Sequence, residues 1–350
     1  MKAWILSDIG RFQLQDKDRP VPGEHEVLIN VKNCGICGSD IPRVYKDGAH
    51  NMPLVIGHEF AGQVAECGPD VSEKWLGKKV GIFPLIPCME CIPCTNRQYE
   101  MCKHYDYLGS RSDGGFAQYV RVPEWNLIEL SDNVTYEQAA MLEPMSVAHH
   151  AISRFGEIGR DESIAIYGSG TIGLFILMHL LSMGYENISV IGNHDIQREK
   201  ALKLGLKKEN FCDLRNENVK EWIDSKTGGF GFDVSFEVVG NSVTYGEAVE
   251  YSAPGGRVCL VGNPHSDMAL KRDTYWKILR NQLTLHGTWN SSFKGEKDDW
   301  IYVADSLKNG LIHPEELITH RYPIEEIEKG FLIMRDKTEE YIKIMCVMDG

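Results

Sequence analysis

Residues 163–184 read SIAIYGSGTIGLFILMHLLSMG, in which an apolar strand runs into Gly168, Gly170 and Gly173 and then into an apolar helix. In a strand–G-x-G-x-x-G–helix unit the first glycine permits the tight turn, the second lets backbone approach a pyrophosphate, and the third allows close helix packing. Glycines alone also occur in the turns of other α/β proteins, so the segments downstream decide the reading. ISVIG, FDVSFEVVG, GRVCLVG and LTLHGTW repeat the strand texture, with amphipathic stretches such as REKALKLG between them. This alternation predicts a parallel, doubly wound α/β sheet that binds a dinucleotide, with Thr171 and Ile172 completing the turn.

The second strand departs from the usual pattern. ISVIGNHD puts Gly192 where an Asp or Glu normally takes the adenosine ribose hydroxyls, and Asp195 lies three residues later. Without the acid there is no repulsion against a ribose phosphate, which Asn193 or His194 can hydrogen-bond, and this favours NADP. No arginine sits in the immediate turn, since Arg198 belongs to the next helix. A shifted loop in which Asp195 serves the ribose would suit NAD, and both cofactors stay open.

The dinucleotide unit starts late. Before about residue 130, runs such as EVLINV, EFAGQVAECG, KKVGIFPLI and FAQYVRVP alternate with Gly, Pro and Asp turns, as in a compact β-barrel. Thr135 and Gln138 have capping-box spacing, and YEQAAMLEP is expected to run as a helix until Pro144 breaks it. At 350 residues the chain exceeds the ~250–300 at which single cores stop growing. The expected division is 1–145, 146–287 and a tail, 288–350, that returns to the first domain.

The cysteines bring in metal chemistry. PCMECIPCTNRQYEMC, within a lobe spanning 84–105, carries Cys88, Cys91, Cys94 and Cys102 as C-x2-C-x2-C-x7-C. Four thiolates so spaced can close a tetrahedral zinc site with no open position, and four clustered cysteines also suit an iron–sulfur cluster. A second set lies scattered: Cys37 in NCGICGSDIPR, His58 and Glu59 in GHEF, and Glu143 in LEPM. A thiolate, an imidazole and carboxylates suit a zinc that keeps a position for water or a substrate oxygen.

The 10 cysteines sit in a chain with no signal-like start, because Met-Lys-Ala-Trp-Ile-Leu-Ser-Asp reaches an acid before an apolar region develops. A cytoplasmic protein with reduced thiols is expected. The formal net charge of −13 argues against nucleic-acid or acidic-membrane partners, which need a basic face.

CGICGSD, GHEFAGQV, the four-cysteine lobe, SDGGFAQYV, LEPMSVAHHA and GSGTIG stand in the order and spacing of the zinc-dependent medium-chain alcohol and polyol dehydrogenases, and the chain resembles that family over almost its whole length. The resemblance implies a GroES-like catalytic domain joined to a Rossmann-type domain, with Cys37, His58 and the acids Glu59 and Glu143 at a catalytic zinc. Which acid ligates directly is left open. It implies structural zinc on Cys88, Cys91, Cys94 and Cys102, and hydride transfer between a substrate hydroxyl and NAD or NADP.

Ser39 would relay the proton. Many polyol dehydrogenases carry a relay histidine where this chain has Pro42, so the relay here would run through water or the cofactor ribose. CGSDIPRVYKDGAH, GSRSDGGFAQYV and YWKILRNQLTLHGTWN most resemble members acting on a sugar-alcohol phosphate, making Arg43, His50 and Arg111 candidates for the phosphate. An unphosphorylated polyol or threonine is the nearest alternative substrate, and a non-catalytic dinucleotide-binding protein the alternative of another class. An apolar edge strand in LTLHGTW points to a homodimer or homotetramer.

Overall fold

The computed structural model describes residues 1–264, 266–295 and 298–348. The chain forms two compact units, Met1–Ser146 with Ser291–Gly350, and Val147–Asn290.

In the first unit the main sheet runs Leu127–Glu129, Lys79–Ile82, Glu59–Cys67, Glu26–Gly35, Lys343–Val347, Ile318–Pro323, with Tyr119–Pro123 paired to the first half of Glu26–Gly35. A three-stranded sheet, Arg11–Asp16, Lys2–Asp8, Leu54–Val55, accompanies it. Strand Glu26–Gly35 is central: most of EVLINVKNCG is buried, as a strand flanked by partners on both edges requires. The C-terminal strand pairs antiparallel with it, Met345 opposite Gly35 and Cys346 opposite Cys34. Phe331, on helix Ile327–Asp336, packs against Phe12 and Phe116 with ring centroids 4.8 and 5.4 Å away. The last fifty residues therefore complete this unit's core and sheet.

Thr135 caps helix Tyr136–Ala140 in a full capping box with Gln138. The expected break at Pro144 is not where the helix ends. It ends at Ala140, with Met141 as its C-cap, and Pro144 sits in the first turn of a new helix, Leu142–Ser153. There a missing N–H costs nothing, because the first turn has no intrahelical acceptor for it.

The second unit contains β1 (Ile164–Tyr167), α1 (Thr171–Ser182), β2 (Ile188–Gly192), α2 (Asp195–Leu204), β3 (Phe211–Asp213), α3 (Val219–Thr227), β4 (Phe232–Glu237), α4 (Ser242–Glu250), β5 (Ser252–Leu260), α5 (Arg272–Arg280) and β6 (Thr284–Gly287). All strands are parallel in the order β3-β2-β1-β4-β5-β6, the doubly wound arrangement expected from the alternation. β3 has only three residues, too few for any periodicity to reveal it. β1 is buried at every position, as a central parallel strand covered on both faces must be.

Candidate active site and metal centres

In the first unit, Glu59 opens its strand directly opposite Gly35. A Cβ on Gly35 would lie 2.3 Å from Glu59 Oε2, so the absent side chain makes room for the carboxylate. The turn after Gly35 presents Cys37, and His58 precedes Glu59. Ligand atoms of Cys37, His58 and Glu59 all lie within 4.8 Å of one another.

Buried side chains flank this trio. The Asp40 carboxylate accepts the Cys37 backbone N–H at 3.0 Å and stands 3.6 Å from His58 Nδ1, beyond hydrogen-bond distance. Lys343 Nζ donates to both oxygens of Glu59, at 2.9 and 2.6 Å, and to Ile36 O at 3.1 Å. Glu143 stands outside the 4.8 Å group, its Oε1 accepting the Tyr107 hydroxyl at 3.1 Å. Burial pushes the Glu143 carboxyl up to about 7, with His58 working against the shift and Glu59 adding to it. Ser39 Oγ donates to Cys37 Sγ at 3.3 Å.

The donor set fits a metal. Burial, then the negative charges of Glu59 and Asp40, push the Cys37 thiol up to about 12, and a divalent cation would reverse that by favouring the thiolate. His58 Nδ1 is buried without a hydrogen bond among the described residues.

The four-cysteine lobe fits zinc by its dimensions. A tetrahedron with bonds of about 2.3 Å has edges of about 3.8 Å. The sulfur separations are 3.9 Å for Cys88–Cys94, 3.4 Å for Cys91–Cys94 and 3.8 Å for Cys91–Cys102. None of these cysteines is in a disulfide. Backbone N–H groups of Lys103 and Cys94 lower the Cys91 thiol to about 6, while burial raises Cys94 to about 12.

The candidate phosphate residues divide. Arg43 turns inward onto the buried Asp40, so its fork is partly engaged inside the protein. Arg111 stacks on Tyr105, guanidinium carbon 4.5 Å from the ring centroid, and makes no ion pair among the described residues. Asn51 Nδ2 donates to Arg111 O at 2.8 Å, which brings the exposed His50 close to that loop.

In the second unit Gly168 has φ +108°, and a Cβ there would meet Val239 at 2.6 Å. A Cβ on Gly173 would meet Gly168 O at 2.0 Å. Gly170, immediately before α1, has nothing within 4 Å of a Cβ. No protein atom requires that glycine, and the open space over the turn is what a pyrophosphate needs. Thr171 and Ile172 form the first turn of α1, while Asn193, His194 and Asp195 are exposed at the end of β2.

Sequence reading missed Asp40, Tyr107, Lys343 and Arg215. Lys343 had a signal, a lone lysine inside the apolar run YIKIMCVM. Tyr107 had none, since its partner lies 36 residues away, and Arg215 was missed because, besides the nearby Asp213, it reaches Asp195 across 20 residues.

A doubly wound parallel sheet in one unit, and two clusters of candidate metal ligands in the other, are the features of a zinc-dependent oxidoreductase. The chain belongs to the zinc-dependent, NAD(P)-binding medium-chain dehydrogenase family. Residues 23–132 match the alcohol dehydrogenase GroES-like domain and residues 171–309 the zinc-binding dehydrogenase domain. It is 34% identical to galactitol 1-phosphate 5-dehydrogenase of Escherichia coli K12, over 94% of this chain and 95% of that one. It is 32% identical to an L-threonine 3-dehydrogenase of Caldanaerobacter subterraneus, covering 91% and 90%, and 29% identical to a sorbitol dehydrogenase of Halalkalibacterium halodurans, covering 99% and 98%.

Among solved structures, galactitol-1-phosphate dehydrogenase of Escherichia coli superposes with TM-score 0.92 at 29% identity, covering 99% of this chain and 100% of that one. A zinc-binding dehydrogenase of Sinorhizobium meliloti bound to NADP gives 0.90 at 25% identity, covering 99% and 98%. An alcohol dehydrogenase of Escherichia coli complexed with NADH gives 0.89 at 26%, covering 99% of each chain. Among the described residues no helix is long and apolar enough to cross a membrane.

Proposed function

We propose that the chain oxidises a secondary hydroxyl of a sugar-alcohol phosphate, galactitol 1-phosphate to tagatose 6-phosphate, with NAD or NADP as hydride acceptor. The observation that carries the phosphate is Arg111. Its guanidinium lacks a carboxylate partner among the described residues, and it lies four residues from Tyr107, which hydrogen-bonds Glu143. A planar fork of this kind suits a phosphate. The likeness to galactitol 1-phosphate 5-dehydrogenase supports the same reading.

Zinc, when bound, supplies a Lewis acid that lowers the pKa of a substrate hydroxyl. Cys37 and His58 would hold it, with Glu59 or Glu143 as the carboxylate ligand. Ser39, whose hydroxyl donates to Cys37 Sγ, would take the substrate's hydroxyl proton and pass it to water, because Pro42 offers no imidazole to continue a relay. Asp40 and Lys343 position Cys37 and Glu59 without touching substrate. Cys88, Cys91, Cys94 and Cys102 hold a second, structural zinc. The enzyme works in the cytoplasm as a homodimer or homotetramer.

One observation favours an unphosphorylated polyol or threonine: Arg43 already has an internal partner in Asp40. Initial rates decide between them. Zinc-loaded protein should turn over galactitol 1-phosphate faster than galactitol, and Arg111→Ala should raise KM for the phosphate at least about tenfold, the worth of one charge-assisted contact, while leaving galactitol kinetics alone. Equal or faster turnover of galactitol, unchanged by Arg111→Ala, would replace the phosphate reading with a general polyol dehydrogenase.

A further inference from the structure

A dinucleotide on this fold lays its adenosine ribose against the end of β2, where a carboxylate usually accepts the hydroxyls. Here Gly192 leaves no space for an acid. A Cβ would meet Ser169 Oγ at 2.1 Å and Phe211 at 3.0 Å, and Ser169 is itself held by a hydrogen bond to Gln197 Oε1 at 2.7 Å. Asn193, next in line, is neutral and exposed.

The chain also brings a cation to this point that the local sequence does not reveal. The Leu214 N–H donates to Gly192 O at 3.0 Å, carrying the β2–β3 ladder one residue further and setting Arg215 beside the end of β2. One edge of its guanidinium, Nε and Nη2, holds Asp213 at 2.9 and 2.7 Å. The other, Nη1 and Nη2, holds Asp195 at 3.0 and 2.5 Å. The two partners differ in burial: the Asp213 side chain is 6% exposed and that of Asp195 64%. An exposed pair contributes little and exchanges readily, whereas the inner one is fixed. Arg198, one turn into α2, adds a second guanidinium, whose Nε is sealed from water with no hydrogen-bond acceptor among the described residues.

We propose that this subsite takes a ribose 2′-phosphate, that NADP is therefore the preferred cofactor, and that Arg215 is the specificity-determining residue. The phosphate displaces Asp195 from the outer edge of the guanidinium while Asp213 keeps the inner edge in place. Asp195 is thus a placeholder for the anion and not the ligand of an NAD ribose. The proposal rests on the dinucleotide reading of the second unit and is independent of which alcohol is oxidised.

The test is calorimetric titration of the full, zinc-loaded chain with 2′,5′-ADP and with 5′-AMP, which reads binding without turnover. The parent should bind 2′,5′-ADP at least about tenfold more tightly than 5′-AMP, the factor one charge-assisted hydrogen bond supplies. Arg215→Met should bring the two ligands to near equality. Because that change strips the buried Asp213 of its partner, Asp195→Asn at an exposed position gives an independent reading. It should strengthen 2′,5′-ADP binding by freeing the outer edge and leave 5′-AMP unchanged. Tighter binding of 5′-AMP by the parent, or weaker 5′-AMP binding in Asp195→Asn, would overturn the proposal and assign Asp195 to an NAD ribose. Failure of both ligands to bind would overturn the dinucleotide reading with it.

Discussion

Replacing Lys343 by Met removes a buried cation from behind the candidate catalytic centre and leaves the methylene stem nearly intact. In the parent Lys343 is 3% exposed and Glu59 1%, and the ammonium makes three hydrogen bonds, two to Glu59 and one to Ile36 O. Removing one member of a buried pair costs about 3–5 kcal/mol, because the other is left charged and unpaired. The Ile36 carbonyl loses its donor as well, placing the expected cost in the upper half of that range.

A unit of about two hundred residues loses about 2–4 °C per kcal/mol, so the metal-free variant should melt about 8–20 °C below the parent. If Glu59 is the carboxylate that ligates zinc, the metal returns a cation to it, and with zinc bound the gap should shrink to less than half. The double variant Glu59→Gln/Lys343→Met has neither charge and should recover about 2 kcal/mol or more in a double-mutant cycle of denaturant midpoints. A single variant within about 1 kcal/mol of the parent, or a cycle with no coupling energy, would refute the assignment of Lys343 as the group that holds Glu59 in place.

Three further outcomes are expected. Cys94→Ser should lower bound zinc from about two ions per chain to about one and destabilise the first unit, with metal analysis and thermal melts as the readouts. Gly170→Val should abolish calorimetric binding of NADP and NAD alike while leaving the melting temperature within a few degrees, since its Cβ enters open space. The Asp213 carboxyl is held well below the usual range, chiefly by its hydrogen bond to Arg215, so the pair's stabilisation is complete above about pH 4 and fades as pH falls. Denaturation midpoints of Asp213→Asn should therefore fall short of the parent's at about pH 6, and the gap should begin to narrow below about pH 4 yet persist at about pH 3, because the folded-state carboxyl gives up its charge only well below the usual range.

What the sequence made legible was local chemistry. The glycine turn, the four-cysteine spacing and the pair His58-Glu59 are short patterns whose geometry comes from backbone rules within a few residues. The partners that hold these groups were harder to read. Lys343 reaches Glu59 across 284 positions because the terminal strand joins Glu26–Gly35, a pairing no local pattern encodes. Asp40 lies three residues from Arg43, yet whether an arginine turns inward to a buried acid or outward to a substrate depends on burial that only the packed barrel decides. Pro144 misled for the opposite reason: the residue type was read correctly as a helix breaker, but a new helix had begun just before it, and its first turn tolerates proline.

The central claim is that Cys37, His58 and a neighbouring carboxylate hold the reactive zinc, and Cys37→Ser tests it most directly. Zinc per chain and the rate of NAD(P)H formation with galactitol 1-phosphate and with galactitol would be measured on parent and variant, alongside the thermal midpoint. The expected result is about two zinc ions falling to about one, no turnover of either alcohol, and a retained folded state. Two zinc ions in the variant, or turnover close to the parent's, would contradict the claim.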